Sequence, residues 1–278
     1  MEPDLTTTIV IPCYNEEKRL AVDKLLVFLN QTLDISFLLV NDGSTDGTAQ
    51  VIDDLCRRQP DRIKSCHLAT NQGKGEAVRT GLLETLEGKS EVVGYWDADL
   101  SAPLAEILHL RKVLLNDQAL DAVIGARVKL IGRRIERKAW RHYTGRIIGT
   151  LISMILHLPV YDTQCGAKLF KASPRLKRLL AEPFQTRWLF DVEIFARALR
   201  SFASHGNMSI MFYEEPLRAW AHMGGSKIGP ADFPVILKEL WRIWCGYSRK
   251  LSRTEKRSAA RMAVRRSFEA GKTARASG

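Results

Sequence analysis

The first half of the chain alternates short β-branched apolar runs with stretches of helical spacing. Thr7–Pro12, with the sequence TTIVIP, is continuously apolar or β-branched, the pattern of a strand buried on both faces. Between Glu16 and Leu33 the residues Leu20, Leu25, Phe28 and Leu29 recur at helical spacing. Phe37–Val40 reads as a second strand, and Thr48–Arg58 as a helix that Thr48 can start. Lys64–Leu68, Glu91–Trp96 and Asp121–Gly125 read as further strands, with helices over Gly75–Glu87 and Pro103–Asn116 between them. This rhythm predicts an α/β fold, Rossmann-like, with a mostly parallel sheet and helices on both faces.

The second half is less regular. Arg141–Leu158 reads as a helix that is half basic and half apolar, and Arg187–Ala203 as one carrying Asp191 and Glu193. Phe233–Tyr247 holds a broad stripe of Phe233, Ile236, Leu237, Leu240, Trp241, Ile243, Trp244 and Tyr247. The uncharged run Ile147–Val160 is fourteen residues long, too short to cross a bilayer as a helix. The opening MEPDLTTTIVIPCYNEE is acidic and enters a strand at once, so no signal peptide is expected. The expectation is a cytoplasmic protein with peripheral membrane contact.

Charge sharpens that expectation. Of the formal net charge of +11, most sits in residues 249–278, where ten Lys/Arg face two Glu. A second basic cluster, residues 127–146, has eight Lys/Arg and one Glu. Basicity this local points to one or two anionic surfaces. The stripes in 147–160 and 233–247 lie beside these clusters, which suits helices resting in an anionic membrane interface. Trp241, Trp244 and Tyr247 favour such a site, and core packing is the alternative. Five cysteines, an odd number without CxxC spacing, argue against a disulfide framework or a zinc site.

In open α/β sheets ligands bind beyond the carboxyl ends of the strands. Those ends carry Pro12-Cys13-Tyr14-Asn15-Glu16, Asn41-Asp42-Gly43-Ser44, Asn71-Gln72-Gly73-Lys74-Gly75 and Asp97-Ala98-Asp99. Each alone is a common turn. Four at the ends of successive strands gather carboxylates, amides, a ring and a lysine on one rim. Asp97 and Asp99 follow the strand read at Glu91–Trp96, where the chain is expected to turn. Such a turn lets carboxylate oxygens hold a hard divalent cation, Mg²⁺ or Mn²⁺, against a nucleoside diphosphate. Val78 breaks a GxGxxG reading, and no GxxxxGK[ST] occurs.

PCYNE, NDGSTDGT, NQGKGEA and WDADLS, in that order, resemble the family 2 glycosyltransferases of the GT-A fold (nucleotide-diphospho-sugar transferases), in their dolichyl/polyprenyl-phosphate glucosyl- and mannosyltransferase branch. DTQCGAKLF (Asp162–Phe170) and RWLFDVE (Arg187–Glu193) resemble the dolichyl-phosphate β-glucosyltransferase type. The resemblance implies that Pro12, Tyr14, Glu16 and Asp42 hold the nucleoside, with Asn15 and Ala98 in the same donor-binding set. It implies that Lys74, Asp97 and Asp99 sit by the ribose, metal and diphosphate. Arg127 and the Gln164-Cys165-Gly166 turn would line the sugar-phosphate side. The implied reaction is inverting, with UDP-glucose the first donor expected and GDP-mannose the second. Where mannosyl relatives often carry a metal-binding Gln, this chain has Ser101.

A polyprenyl-phosphate acceptor is ionised at neutral pH and needs cations more than a base. Arg127, Lys129, Arg133, Arg134, Arg141, Arg146 and Lys227 are the candidates. Asp99, Arg127 and Asp191 are the residues expected to carry the chemistry. Asp191 either serves an acceptor or pairs with a nearby Arg. Residues 1–230 are expected to form the catalytic domain, and 231–278 basic amphipathic C-terminal helices and a tail. A soluble acceptor is the alternative. Nucleic-acid binding would leave the rim unexplained.

Overall fold

The β-branched run at the start of the chain forms β1 (Thr7–Cys13), and its position decides the layout of the sheet. The computed structural model describes residues 6–136, 149–156, 160–205, 211–221 and 233–248. β1 pairs in parallel with β2 (Ile35–Asp42) on one side and with β4 (Val92–Trp96) on the other. β2 in turn pairs with β3 (Ile63–Leu68). The chain therefore winds outward through α1 (Val22–Gln31) and α2 (Thr48–Arg58), then returns through α3 (Lys74–Leu86) to the far side of β1. Strand order reverses between β1 and β4, which opens a crevice beyond their carboxyl ends.

The alternation within each strand sorts the two faces. Ile9, Ile11, Phe37, Leu39 and Trp96 pack with α1, α2 and α4 (Ala105–Asn116). Val10, Leu38, Val40 and Tyr95 face α3, α6 (Pro174–Leu180) and α7 (Phe190–His205). Helix α1 begins at Val22 rather than at Glu16. The Glu16 carbonyl is spent on the N–H groups of Arg19 and Leu20, a turn that leaves residues 14–20 on the rim.

Period and turn signals revealed the strand at Asp121–Gly125 but not its neighbours in the far half of the sheet. β5 (Ala122–Ala126) is separated from β4 by β7 (Ala167–Lys171), which runs antiparallel to both. With β8 (Phe212–Pro216) at the edge, the order is β3-β2-β1-β4-β7-β5-β8. Because β7 is reversed, the turn before it lies where β4 ends: Ala167 stands opposite Trp96. A small parallel pair, β6 (Arg134–Glu136) with β9 (Ala219–Ala221), flanks this region.

The described part of the 141–158 segment is helical over 149–156 (α5), and Ile152 and Leu156 point into the core. α8 (Phe233–Ile243) and the π-helical turn Trp244–Ser248 bury Ile236, Leu240, Ile243 and Tyr247 against α5 and α7. The apolar stripe of 233–247 is therefore divided: Tyr247 faces inward, while Leu237, Trp241 and Trp244 are exposed. Among the described residues, no helix is long and apolar enough to cross a membrane.

Two buried carboxylates fasten this C-terminal segment. Glu193 of α7 accepts from Arg197, from Tyr247 Oη at 2.8 Å, and from the Thr186 N–H and hydroxyl. Glu239 of α8 accepts from the backbone N–H groups of Arg187, Trp188 and Leu189. α7 starts at Phe190, three residues after the Arg187 start expected from the sequence. Glu193→Ala would leave Tyr247 Oη and the Thr186 N–H and hydroxyl without their buried acceptor while Arg197 keeps the Leu179, Glu182 and Pro183 carbonyls, at an expected cost of about 2–3 kcal/mol. Tyr247→Phe should lose only about 1 kcal/mol; urea denaturation midpoints compare the two.

Candidate active site

Each strand that ends at the crevice contributes one turn. After β1, Asn15 adopts a left-handed conformation (φ 51°). Its N–H donates to Ser44 Oγ at 3.0 Å, and its side-chain oxygen accepts from Thr45 N–H at 2.9 Å. The turns after β1 and β2 are thus interlocked. Glu16 is buried, its N–H donates to Thr48 Oγ1, and its carboxylate lies 3.3 Å from Arg19. Pro12 and Tyr14 are half-buried on the same rim.

Asp42 at the end of β2 is almost wholly buried. Its carboxylate accepts from the N–H groups of Gln72 (2.7 Å) and Gly73 (2.9 Å) and from Asn71 Nδ2 (3.0 Å). Burial pushes its carboxyl above the usual carboxylate range; the two N–H bonds and the Arg187 charge pull the other way. Asp42 shapes the 71–73 loop and so determines where Lys74, at the first position of α3, emerges. Gly73 has φ 96°, and a Cβ there would strike Arg187 at 2.7 Å.

Beyond β4 the chain turns at Asp97-Ala98-Asp99, with Leu100 left-handed (φ 49°) and Leu100 N–H closing onto the Asp97 carbonyl. Ala98 is buried beneath the turn. Lys74 Nζ lies 2.5 Å from Asp97 Oδ1. Desolvation lowers the Lys74 pKa, but Asp97, joined by Asp191 and Asp99, more than reverses it, so the ammonium is held charged. Asp99 Oδ1 accepts from Ser101 N–H at 2.9 Å. Asp97 N–H donates to the Gly166 carbonyl, and a Cβ on Gly166 would meet the Asp97 carboxyl group at 2.1 Å. Gly166 is therefore the cradle that admits this carboxylate.

These hard oxygens are of the type that Mg²⁺ or Mn²⁺ prefers, and Asp97 and Asp99 are the residues that would hold such an ion. Among the described residues no cluster of three His, Cys, Asp or Glu gathers as a metal site. Water and donor phosphates would complete the shell, as is common for Mg²⁺.

The antiparallel strand brings a group that sequence reading passed over. Lys168 is fully buried in β7 and donates to the carbonyls of Thr163 (3.0 Å) and Cys165 (2.6 Å) and to Asp191 Oδ1 (2.7 Å). Tyr95 Oη donates to the same Asp191 oxygen. The partner of Asp191 is thus a lysine, where an arginine was the structural alternative expected. Arg127, just past β5, is gripped by Asp162 through Nε at 2.6 Å and Nη2 at 2.7 Å, and stacks over Trp220. Burial opposes its charge, and Asp162 outweighs that and raises its pKa. The Cys165 thiol is pushed up to about 12 by burial, despite Arg127, and stays protonated. Gln164 Nε2 is buried in the same turn with no acceptor among the described residues.

The structure thus brings together Asn15, Glu16, Asp42, Lys74, Asp97, Asp99, Arg127 and Asp191 around one crevice. Arg141, Arg146 and Lys227 lie outside the described residues. Missed in sequence were Lys168, Asp162, Arg187 and Glu239. Asp162, Lys168 and Arg187 lie within the DTQCGAKLF and RWLFDVE segments, and a lysine inside the otherwise apolar strand AKLF is a further signal.

A sheet that reverses around β1, with a carboxylate turn after β4 and a reversed strand beside it, defines the GT-A nucleotide-diphospho-sugar transferase fold. Residues 8–178 match the model of Glycosyl transferase family 2, and the chain belongs to that family. It is 30% identical over 239 residues to a dolichyl-phosphate beta-glucosyltransferase of Trichomonas vaginalis, covering 81% of this chain and 66% of that one. It is 29% identical over 258 residues to the Drosophila melanogaster protein of that name, covering 88% of this chain and 76% of the relative. In fold it is similar to glucosyl-3-phosphoglycerate synthase from Mycobacterium tuberculosis in complex with phosphoglyceric acid (TM-score 0.58, 16% identity, 89% and 81% of the two chains). The same enzyme with Mn²⁺ and UDP-glucose gives TM-score 0.55 at 18% identity, over 87% and 79% of the two chains.

Gly166→Ala should displace the Asp97 carboxylate by the width of a methyl group. The expected result is about a 10²-fold loss of kcat/KM with a thermal midpoint close to wild type, since the position lies at the rim.

Proposed function

We propose that this chain transfers a hexose, glucose in the first instance, from a nucleotide sugar to a polyprenyl phosphate, inverting the anomeric carbon. The observation that carries the reading is the Asp97-Ala98-Asp99 turn, held between Lys74 and the Gly166 cradle at the switch point of the sheet. The acceptor class follows the relatives, which are named dolichyl-phosphate beta-glucosyltransferases. The donor is UDP-glucose, with GDP-mannose second, and the site of action is an anionic membrane surface on the cytoplasmic side.

The interlocked turns at Asn15 and Ser44, with Pro12, Tyr14, Glu16 and Asp42, hold the nucleoside. Lys74 offsets negative charge at the diphosphate. A divalent cation bound by Asp97 and Asp99 would supply neutralisation of charge on the leaving diphosphate. An acceptor phosphate oxygen bonds to the anomeric carbon from the face opposite the donor diphosphate. The bond from that carbon to the diphosphate oxygen breaks, and the nucleoside diphosphate leaves with the electron pair. The acceptor is already ionised, so no general base is required. Asp191, tied to Lys168 and Tyr95, positions the Thr163–Cys165 turn instead of taking a proton. Gln164 in that turn, whose buried Nε2 has no acceptor among the described residues, is the donor to phosphate oxygens in this reading.

The test incubates the purified full chain with a short polyprenyl phosphate, Mg²⁺ or Mn²⁺, and labelled UDP-glucose or GDP-mannose, and reads label in the organic phase. EDTA should abolish the product, and Asp99→Ala should cut the rate by about 10²–10³-fold. Label that moves only onto a soluble phosphorylated acceptor would reject the lipid acceptor and keep the transferase.

A further inference from the structure

α8 carries two adjacent rows on its exposed side. Leu237 and Trp241 form an apolar row, 45% and 63% exposed, which Trp244 continues at 40%. Lys238 and Arg242, also exposed, form a cationic row one residue further on. Residues four apart stack on one helix face, so each row is continuous. The opposite side is taken by Ile236, Leu240 and Ile243 in the core and by Glu239 on the 187–189 backbone. That leaves the helix one orientation, with Trp241 outward. The chain that follows α8 holds ten Lys/Arg against two Glu.

We infer that the Leu237–Trp241–Trp244 ridge of α8 docks this protein on an anionic bilayer, with Lys238 and Arg242 meeting lipid phosphates. The argument for that occupant is charge complementarity combined with aromatic rings beside cations. Such rings settle at the headgroup level while the ammonium and guanidinium stay with the phosphates. The inference deepens the proposed function and rests on its lipid acceptor. Glu239 binds the segment that carries Arg187, and Arg187 Nη2 donates to Asn71 of the donor loop. The helix on the membrane therefore sits one element away from the crevice.

The experiment is sedimentation of the full chain with phosphatidylcholine vesicles, with and without phosphatidylglycerol, and with no acceptor present. Wild type should bind the anionic vesicles. The double change Leu237→Ser and Trp241→Ser should weaken binding about ten-fold or more, and Lys238→Glu with Arg242→Glu should do so only with anionic lipid. Circular dichroism confirms that the variants fold. Unchanged binding of the serine variant, equal binding of wild type to neutral vesicles, or a serine change that only dissociates a dimer would each overturn the inference. Vesicle binding is read without turnover, so failure of the proposed reaction leaves this result separately legible.

A second observation concerns the donor rim. Asn41 Oδ1 accepts from Ser44 N–H at 3.0 Å, which fixes the amide, so Nδ2 must face His67 Nδ1 at 3.2 Å. Nδ1 is then the acceptor, and Nε2 carries the proton toward Asp53 Oδ1 at 3.1 Å. The geometry points to His67 as a positioning residue: through Asn41 it holds the Ser44 turn that Asn15 locks onto. His67→Gln keeps both an acceptor and a donor, whereas His67→Leu keeps neither. Expected is a several-fold rise in donor KM for the leucine variant at unchanged kcat, with the glutamine variant near wild type. Amide exchange at Ser44 should quicken in parallel, a readout independent of turnover. A leucine variant with wild-type KM and exchange, or a glutamine variant as impaired as leucine, would refute the role.

Discussion

A lysine ammonium in the middle of a sheet is tolerable only when every proton it carries has an acceptor, because an unpaired buried charge costs several kcal/mol. Lys168 meets that condition with Thr163, Cys165 and Asp191, which come from the rim turn and from α7. The requirement ties together pieces that are far apart in the chain. β7 must run antiparallel to bring the turn to the end of β4, and α7 must start close enough for Asp191 to reach inward. Tyr95, opposite Lys168 in the pairing of β4 and β7, adds its hydroxyl to the same carboxylate. Burial and the Asp191 charge hold that phenol well above its ordinary pKa, so it remains a donor.

The crevice inherits its shape from this arrangement. On one side lie turns that follow parallel strands, locked to one another by Asn15, Ser44 and Asp42. On the other lies the turn before β7, pinned from below by Lys168 and pressed against Asp97 through Gly166. Arg127 arrives from β5 already neutralised in part by Asp162, whose own N–H donates to Glu214. A guanidinium held bidentately keeps its charge and loses its freedom, which suits a fixed phosphate contact better than a mobile one.

The C-terminal helix shows how one stripe can serve two environments. Eight apolar residues spread over 233–247 are too wide a band for one contact. Packing on α5 and α7 takes Ile236, Leu240, Ile243 and Tyr247, and leaves Leu237 and Trp241 in the open. Glu239 decides the division. Its carboxylate must reach the N–H groups at 187–189, which sets the rotation of the helix about its axis.

Sequence alone determined the parallel half of the sheet and the carboxyl-end turns, because these are local: β-branched runs, helical spacing and Gly/Asp/Asn turns act within a few residues. The strand read at Glu91–Trp96, found at Val92–Trp96, and the helix Thr48–Arg58 were legible for that reason. Asp97 and Asp99 were legible as a carboxylate pair just beyond a strand read as ending at Trp96. Tertiary structure decided what depends on distant partners. The insertion of β7 between β4 and β5, the lysine that holds Asp191, the grip of Asp162 on Arg127 and the rotation of α8 each pair residues tens of positions apart. No local period encodes such a pairing; it follows from the need to satisfy buried charge once the sheet has closed.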